Sequence, residues 1–130
     1  MKVINVPTIP SEFAQALVVK SAIVVVSLLE REVQFVTYEG IEEHQLLDMN
    51  GAEDGGFIYT GPALSMQEML GIKDLLISMM SRYFENNVGD FLKFTPTCSK
   101  RGRIYLAYLK KAGYTVIDYG SNDYLITYPY

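Results

Sequence analysis

The sequence predicts an α+β fold, with a mixed, mostly antiparallel sheet and helices on both of its faces. Three observations lead to this prediction. Short alternating or β-branched runs bounded by glycine and proline indicate strands. Residues 65–68 (SMQE) have the capping-box pattern that starts a helix, and apolar residues follow at spacings of three and four. Residues 90–128 have the pattern of a strand, a helix and a hairpin.

Length and composition fit one globular domain that spans residues 1–130. Hydrophobic residues make up 49% of the chain and charged residues 20%, so a core of ordinary size can form. The net charge of −4 argues against nucleic acid and acidic membranes as partners. The single cysteine, Cys98, excludes an internal disulfide and a cysteine-based metal site. Since no apolar run approaches the length of a membrane span, we expect a cytoplasmic protein.

The N-terminal third begins with a short strand and then becomes ambiguous. Residues 2–6 alternate enough for a strand, and the prolines that follow end it. Ser11 can cap a helix. One face of this helix would carry four apolar residues, Phe13, Ala14, Leu17 and Val18. Residues 22–29 (AIVVVSLL) suit a buried strand, yet the charged run 30–32 ends them as it would end a helix.

The middle of the chain predicts an antiparallel meander of three strands. Residues 33–38 (VQFVTY) alternate clearly and are closed by a Glu-Gly turn. Residues 42–49 and 56–60 (GFIYT) supply the other two strands, separated by the turn-rich MNGAEDGG segment.

The C-terminal half is more regular. The helix that starts at Ser65 has a broad apolar face and should lie against the sheet. Residues 90–95 form a strand, and the next helix ends at Gly113, which can adopt the left-handed conformation of a C-cap. Two alternating strands, 114–119 and 124–128, then enclose a Gly-Ser-Asn-Asp turn.

The order of elements over residues 56–128 resembles the C-terminal half of the GNAT superfamily of acyl-CoA-dependent N-acetyltransferases. It is most similar to the short, divergent members carried by tailed phages. The resemblance implies one GNAT-like domain and the transfer of an acetyl-sized group from acetyl-CoA, or another acyl-CoA, to a small-molecule or protein amine. It also implies two helices before residue 33, so we interpret residues 22–29 as helical. A phage protein would act in the host cytoplasm.

The resemblance places the cofactor along the central helix and the two flanking strands. Members of the family hold the pyrophosphate with an Arg/Gln-x-x-Gly-x-Gly/Ala loop, and Gly71 matches its first glycine. Glu68 then stands at the Arg/Gln position, where a carboxylate would repel phosphate, unless the amides around Ser65 form a different cradle. The pantetheine arm would lie between splayed strands. Their backbone groups are those of residues 91–95 and of Phe57, Ile58 and Tyr59.

A basic cluster at the start of the second helix is the other candidate phosphate site. Ser99, Arg101 and Arg103 lie there, together with a lysine, where the helix dipole disfavours cations by about 0.3–1 kcal/mol each. A nearby anion would offset that cost, and arginine suits bidentate contact with phosphate. The alternative is a solvated helix end without a ligand.

The resemblance also implies the catalytic groups. Family members often use a tyrosine four residues before the helix-ending glycine to protonate the departing thiolate, and Leu109 occupies that position. Its neighbours Tyr108 and Tyr105 are therefore the candidates for this general acid. His44 and Glu53 are candidates for the base that deprotonates the amine, although a lone histidine in a strand is more often structural.

The tyrosine-rich C-terminus suggests a second function. Seven of the ten tyrosines fall in the last 26 residues, and tyrosine is enriched in the cores of protein interfaces. The chain could thus keep the fold without the chemistry and bind a second copy or a host protein through this hairpin, or serve in a virion. A hairpin that simply packs on its own helices is equally consistent with the pattern.

Overall fold

Seven strands form one mixed sheet with the order β1-β2-β3-β4-β5-β7-β6 in the part of the chain that the computed structural model describes, which is residues 1–6, 13–20, 22–39, 64–96 and 99–128. The strands are β1 (Lys2–Asn5), β2 (Ala14–Val18), β3 (Ala22–Ser27), β4 (Glu32–Glu39), β5 (Phe91–Phe94), β6 (Thr115–Asp118) and β7 (Tyr124–Thr127). Among these seven described strands, β4 and β5 are the one parallel pair, and all other neighbours are antiparallel.

Two helices complete the described fold. Helix α1 (Met66–Asn86) lies between β4 and β5 in sequence, and helix α2 (Ser99–Lys111) lies between β5 and β6. The predicted capping box at the start of α1 is present, and Gly113 follows α2 with a φ of 100°. The predicted strand near residues 90–95 and the C-terminal hairpin are confirmed as well. The α+β fold with a mostly antiparallel sheet is therefore correct.

The two helices predicted before residue 33 are wrong, because this region forms strands β2 and β3. Both strands are central and covered on both sides, so their buried residues do not show a period of two. Ala14 and Ala16 are buried on one face of β2, while Leu17 is buried on the other. Apolar residues at 13, 14, 17 and 18 then match a helical period by coincidence. The β-branched residues of β3 suit the strand that they form.

The main core lies between one face of the sheet and both helices. Its strand residues share that face because the pairing register sets them opposite one another. The pairs are Leu17 with Val24, Val33 with Phe94, and Leu92 with Ile126. Helix α1 adds Leu76 and Met79, and α2 adds Leu109; all three are fully buried. Each such side chain contributes about 1.5–3 kcal/mol by leaving water.

The opposite face carries a smaller buried cluster on the N-terminal strands. Its buried members are Val6, Ala14, Ala16, Ile23 and Tyr38. Neither α1 nor α2 lies on this face. Helices were expected on both faces of the sheet, and the described residues place them on one face only. The predicted strands 42–49 and 56–60 lie outside the described residues. Neither of the two described helices is long and apolar enough to cross a membrane.

Candidate functional site

The parallel strands β4 and β5 pair over a very short distance. The register joins Glu32 with Lys93 and Val33 with Phe94, after which β5 ends. Residues 34–39 of β4 continue and pair with β3 on their other side. The edge of β4 that follows Val33 therefore has no strand partner among the described residues.

The aromatic side chains of α2 approach β4 through Tyr105. Its ring stacks on Phe35 with 5.3 Å between centroids and an interplanar angle of 26°. Tyr105 is buried, whereas Tyr108 is half-buried and lies beside α1, with Lys73 Nζ 4.8 Å from its ring centroid. Leu109 is a core residue. Of the two candidate tyrosines, Tyr105 is thus the one in contact with β4.

A cleft of about 600 Å³ lies at the N-terminus of α1. It is lined by Met1, Lys2, Val18, Val19, Lys20, Ser65, Gln67 and Glu68. Glu68 closes the helix end, since its carboxylate accepts hydrogen bonds from the Ser65 N–H at 2.9 Å and the Lys20 N–H at 3.3 Å. These bonds, led by that of Ser65, hold the pKa of the Glu68 carboxyl below its ordinary value.

Lys2 and Lys20 bring positive charge to this cleft, and sequence reasoning missed both. Lys2 reaches the cleft because β1 pairs with β2, which sets Lys2 opposite Val18. Lys20 reaches it because it lies in the turn between β2 and β3. Local patterns contain no signal for such pairing. The predicted cradle glycine, Gly71, lies beyond the first turn of α1 and packs on the sheet: a Cβ there would meet Leu17 Cδ2 at 3.2 Å.

The basic cluster lies in the first turns of α2, immediately after β5. Ser99 and Arg101 are in this helix, Arg103 is exposed, and the first turn contains no acidic residue. Gly102 allows the helix to approach β5 closely, because a Cβ at this position would overlap Pro96. The start of α2 is thereby fixed beside the end of the parallel pair.

A second cleft, of about 590 Å³, lies at the end of β5 on the face away from the helices. Its lining consists of Glu32, Phe91, Lys93, Thr95, Tyr119, Asp123, Tyr124 and Leu125. The Thr95 hydroxyl donates to Asp123 Oδ1 at 2.7 Å, and Asn122 Nδ2 donates to the Pro96 carbonyl at 2.5 Å. These bonds tie the hairpin turn to β5. Sequence reasoning did not identify this cleft.

Several predicted site residues lie outside the described part of the chain. They are His44, Glu53, Phe57, Ile58 and Tyr59. Their assigned roles stay predictions. Within the described ranges, no three His, Cys, Asp or Glu side chains come close enough to hold a metal ion.

Comparisons of this chain with protein-family models, with curated proteins and with solved structures gave no significant match. The functional argument therefore depends on the geometry of the described residues.

Proposed function

We propose that the protein is an acyl-CoA-dependent N-acyltransferase of GNAT-like fold that transfers an acetyl-sized group to an amine. The short parallel pairing of β4 and β5 is the observation that carries this proposal. The resemblance implies two splayed strands around the pantetheine arm, joined in sequence by the long central helix. Strands β4 and β5 are joined through α1, and their pairing stops after Val33 and Phe94. This arrangement supports the proposal, and the role expected of residues 57–59, which lie outside the described residues, stays a prediction.

In this proposal, the residues of the chain would have the following roles. Backbone groups of β4 beyond Val33 would hold the pantetheine arm by hydrogen bonds. Arg101 and Arg103 would contact the phosphates, because they lie at the start of the helix that comes after β5 in sequence and arginine forms bidentate bonds to phosphate. Acetyl-CoA, when bound, supplies the acyl group as a thioester. Tyr105 or Tyr108 would give the thiolate its proton.

The amine must lose a proton as its nitrogen forms the new bond to the acyl carbon. His44 and Glu53 keep their proposed role as acceptors of that proton. Phage origin, and hence action in a host cytoplasm, remain part of the proposal that follows from the resemblance alone.

A binding protein with the same fold but no chemistry is the second candidate. Two observations favour it. The Glu68 carboxylate occupies the N-terminus of α1, where it disfavours a phosphate. Leu109 is wholly buried in the core, so no side chain at that position can act as the general acid. Such a protein would act on a host factor or within a virion through the C-terminal hairpin.

Calorimetry with acetyl-CoA and desulfo-CoA, combined with thermal unfolding, separates the two candidates. At a free ligand concentration 100 times Kd, binding at one site stabilises the fold by about 2.7 kcal/mol. The double variant Arg101→Ala, Arg103→Ala should weaken binding. Lys110→Ala, Lys111→Ala removes two charges from the other end of α2 and should leave binding unchanged. Absence of binding at millimolar cofactor would contradict the acyltransferase and leave the binding protein.

A further inference from the structure

Strand β6 forms one edge of the sheet and pairs only with β7 among the described residues. The alternation of its hydrogen bonds follows from one contact: the Tyr119 N–H donates to the Asp123 carbonyl at 3.0 Å. In an antiparallel pair every second residue bonds to the partner strand, so Thr115 and Ile117 also face β7 with their backbone groups. The N–H and C=O groups of Val116 and Asp118 therefore point away from the sheet.

This edge has few of the features that prevent pairing with another strand. Natural edge strands are often protected by lysine, proline, a bulge, other charges or short length; β6 reads Thr-Val-Ile-Asp, so it is short and has one charge, Asp118, but no lysine or proline. The opposite edge, β1, carries Lys2. Two large apolar side chains of the β6 segment are also exposed: Ile117 retains 41% of its accessible surface and Tyr119 retains 67%.

We propose that the protein forms a homodimer in which β6 pairs antiparallel with β6 of a second copy. The twofold axis passes beside Ile117, so that Ile117 faces Ile117 of the second copy. Val116 then faces Asp118, and their outward backbone groups form four hydrogen bonds across the axis. Thr115 faces Tyr119 on the same side of the sheet as the isoleucines. This inference does not depend on the acyltransferase, because neither β4 nor the start of α2 takes part in it.

Charge and side-chain pairing select this register and a second copy as the occupant. Asp118 is the only charged residue of β6, and a register centred on it would place two carboxylates opposite each other. A register centred on Val116 would set Tyr119 against Gly113. The register centred on Ile117 avoids both and buries the two exposed apolar side chains against a β-branched partner, a favourable cross-strand combination.

Sedimentation of the full chain tests the dimer. The wild-type chain should sediment at twice the mass of one chain at high concentration and dissociate on dilution. Ile117→Glu should give a monomer. Val3→Glu places the same charge on the opposite edge, where Val3 is 50% exposed, and should leave the dimer intact. A wild-type chain that remains monomeric at its highest soluble concentration would overturn the proposal.

Disulfide cross-linking tests the register and does not require a destabilising variant. In a Cys98→Ser background, Ile117→Cys should yield a covalent dimer on mild oxidation, because facing residues of a non-hydrogen-bonded pair have Cα atoms about 4.5 Å apart. Thr115→Cys is the matched control. Its two copies would lie about 13 Å apart along the strands and should not cross-link. Equal cross-linking of both variants would contradict this register.

Discussion

Ser65 and Glu68 hold each other at the start of α1: the Ser65 N–H donates to Glu68 Oε1 at 2.9 Å, and the Glu68 N–H donates to Ser65 Oγ at 3.1 Å. The second carboxylate oxygen accepts from the Lys20 N–H of the β2–β3 turn. One side chain therefore caps the helix, joins it to the sheet and places negative charge where the helix dipole attracts anions. The Glu68 carboxylate thus stabilises the fold but disfavours the binding of an anion at this helix end.

Glu68→Gln should distinguish the effect of this carboxylate on stability from its effect on anion binding. The amide keeps a hydrogen-bond acceptor but loses the charge, so the free energy of unfolding should fall by about 0.3–1 kcal/mol, as measured by urea denaturation. If the cofactor phosphates lie in the cleft at this helix end, the same variant should bind acetyl-CoA more tightly in calorimetry, because the repulsion is gone.

Glu85→Gln provides the control for that experiment. Glu85 is exposed in the last turn of α1, where the dipole disfavours an acidic side chain. Its neutralisation should raise the free energy of unfolding slightly and leave cofactor binding unchanged. Equal effects of the two variants on stability would show that the position of the charge along the helix does not matter.

Tyr83 should make stability sensitive to alkaline pH. Burial, followed by the hydrogen bond to Asp90 at 2.9 Å, raises the pKa of Tyr83 to about 12 from 10.0. The folded state thus retains the phenol proton, and the stabilisation is present below pH 10 and is lost as the pH rises to about 12. Tyr83→Phe should reduce this alkaline loss in denaturation curves measured across that range.

The same variant should also be less stable at neutral pH, by about 1.5–3 kcal/mol, because a hydrogen bond to a charged carboxylate disappears. Tyr119→Phe, which removes a hydroxyl at an exposed hairpin position, should leave the stability at neutral pH unchanged. If Tyr83→Phe keeps the full alkaline loss, another group must cause it.

Asp90 should make the stability of the fold sensitive to acidic pH. Its carboxylate accepts hydrogen bonds from the Phe91 N–H and the Tyr83 hydroxyl and pairs with Arg31 at 3.2 Å. These contacts, led by that of Phe91, lower the pKa of Asp90 from 3.8. The stabilisation is therefore present above pH 3.8 and is lost as the pH falls through the lower folded value. Asp90→Asn should therefore reduce the loss of stability at acidic pH in denaturation curves.

Elements that depend on near neighbours in sequence could be predicted. The capping box involves residues three apart, and the left-handed Gly113 ends α2 within one turn of its last lysines. The C-terminal hairpin follows from a four-residue turn between alternating strands. In each case the physical cause and its structural effect lie within a few residues of one another.

Features that depend on distant partners could not be predicted. Strand β2 is a strand because β1 and β3 flank it and its two faces are buried, and none of this is visible in residues 13–18 alone. The pairing of Glu32 with Lys93 joins segments about sixty residues apart, and the proposed cofactor site depends on it. The lysines of the α1 cleft reach it through the same kind of long-range pairing.

Gly102 and Gly71 should respond differently to alanine, although both lie in helices. A Cβ at Gly102 would come within 2.5 Å of Pro96 Cγ, and the proline ring cannot move aside. Gly102→Ala should therefore lower the free energy of unfolding by about 1–3 kcal/mol. At Gly71 the nearest atoms are Met1 Sδ at 3.0 Å, the end of a flexible side chain, and Leu17 Cδ2 at 3.2 Å, so each needs to shift by only a few tenths of an ångström. Gly71→Ala should be tolerated, since it gains about 0.8–1.0 kcal/mol of helix propensity.

Thermal unfolding of the two alanine variants gives the comparison directly. Cofactor binding adds a second result, because Gly71→Ala should weaken binding only if the backbone at residue 71 approaches the phosphates. A Gly102→Ala variant as stable as the wild type would contradict the close approach of α2 to Pro96.

If the protein is the proposed acyltransferase, Leu109→Tyr would place a tyrosine where the resemblance puts the general acid, and we expect it to damage the fold instead of creating activity. Leu109 is wholly buried, so a larger side chain there would overpack the core and lower the free energy of unfolding by about 1–3 kcal/mol. The tyrosine hydroxyl would also lose its hydrogen bonds to water. Ala107→Tyr is the matched control, since Ala107 is exposed on the same helix and should accept the ring at little cost. Urea denaturation measures both, and an acetyl-transfer assay completes the comparison. A stable Leu109→Tyr variant with raised activity would show that α2 can rotate to bring residue 109 out of the core.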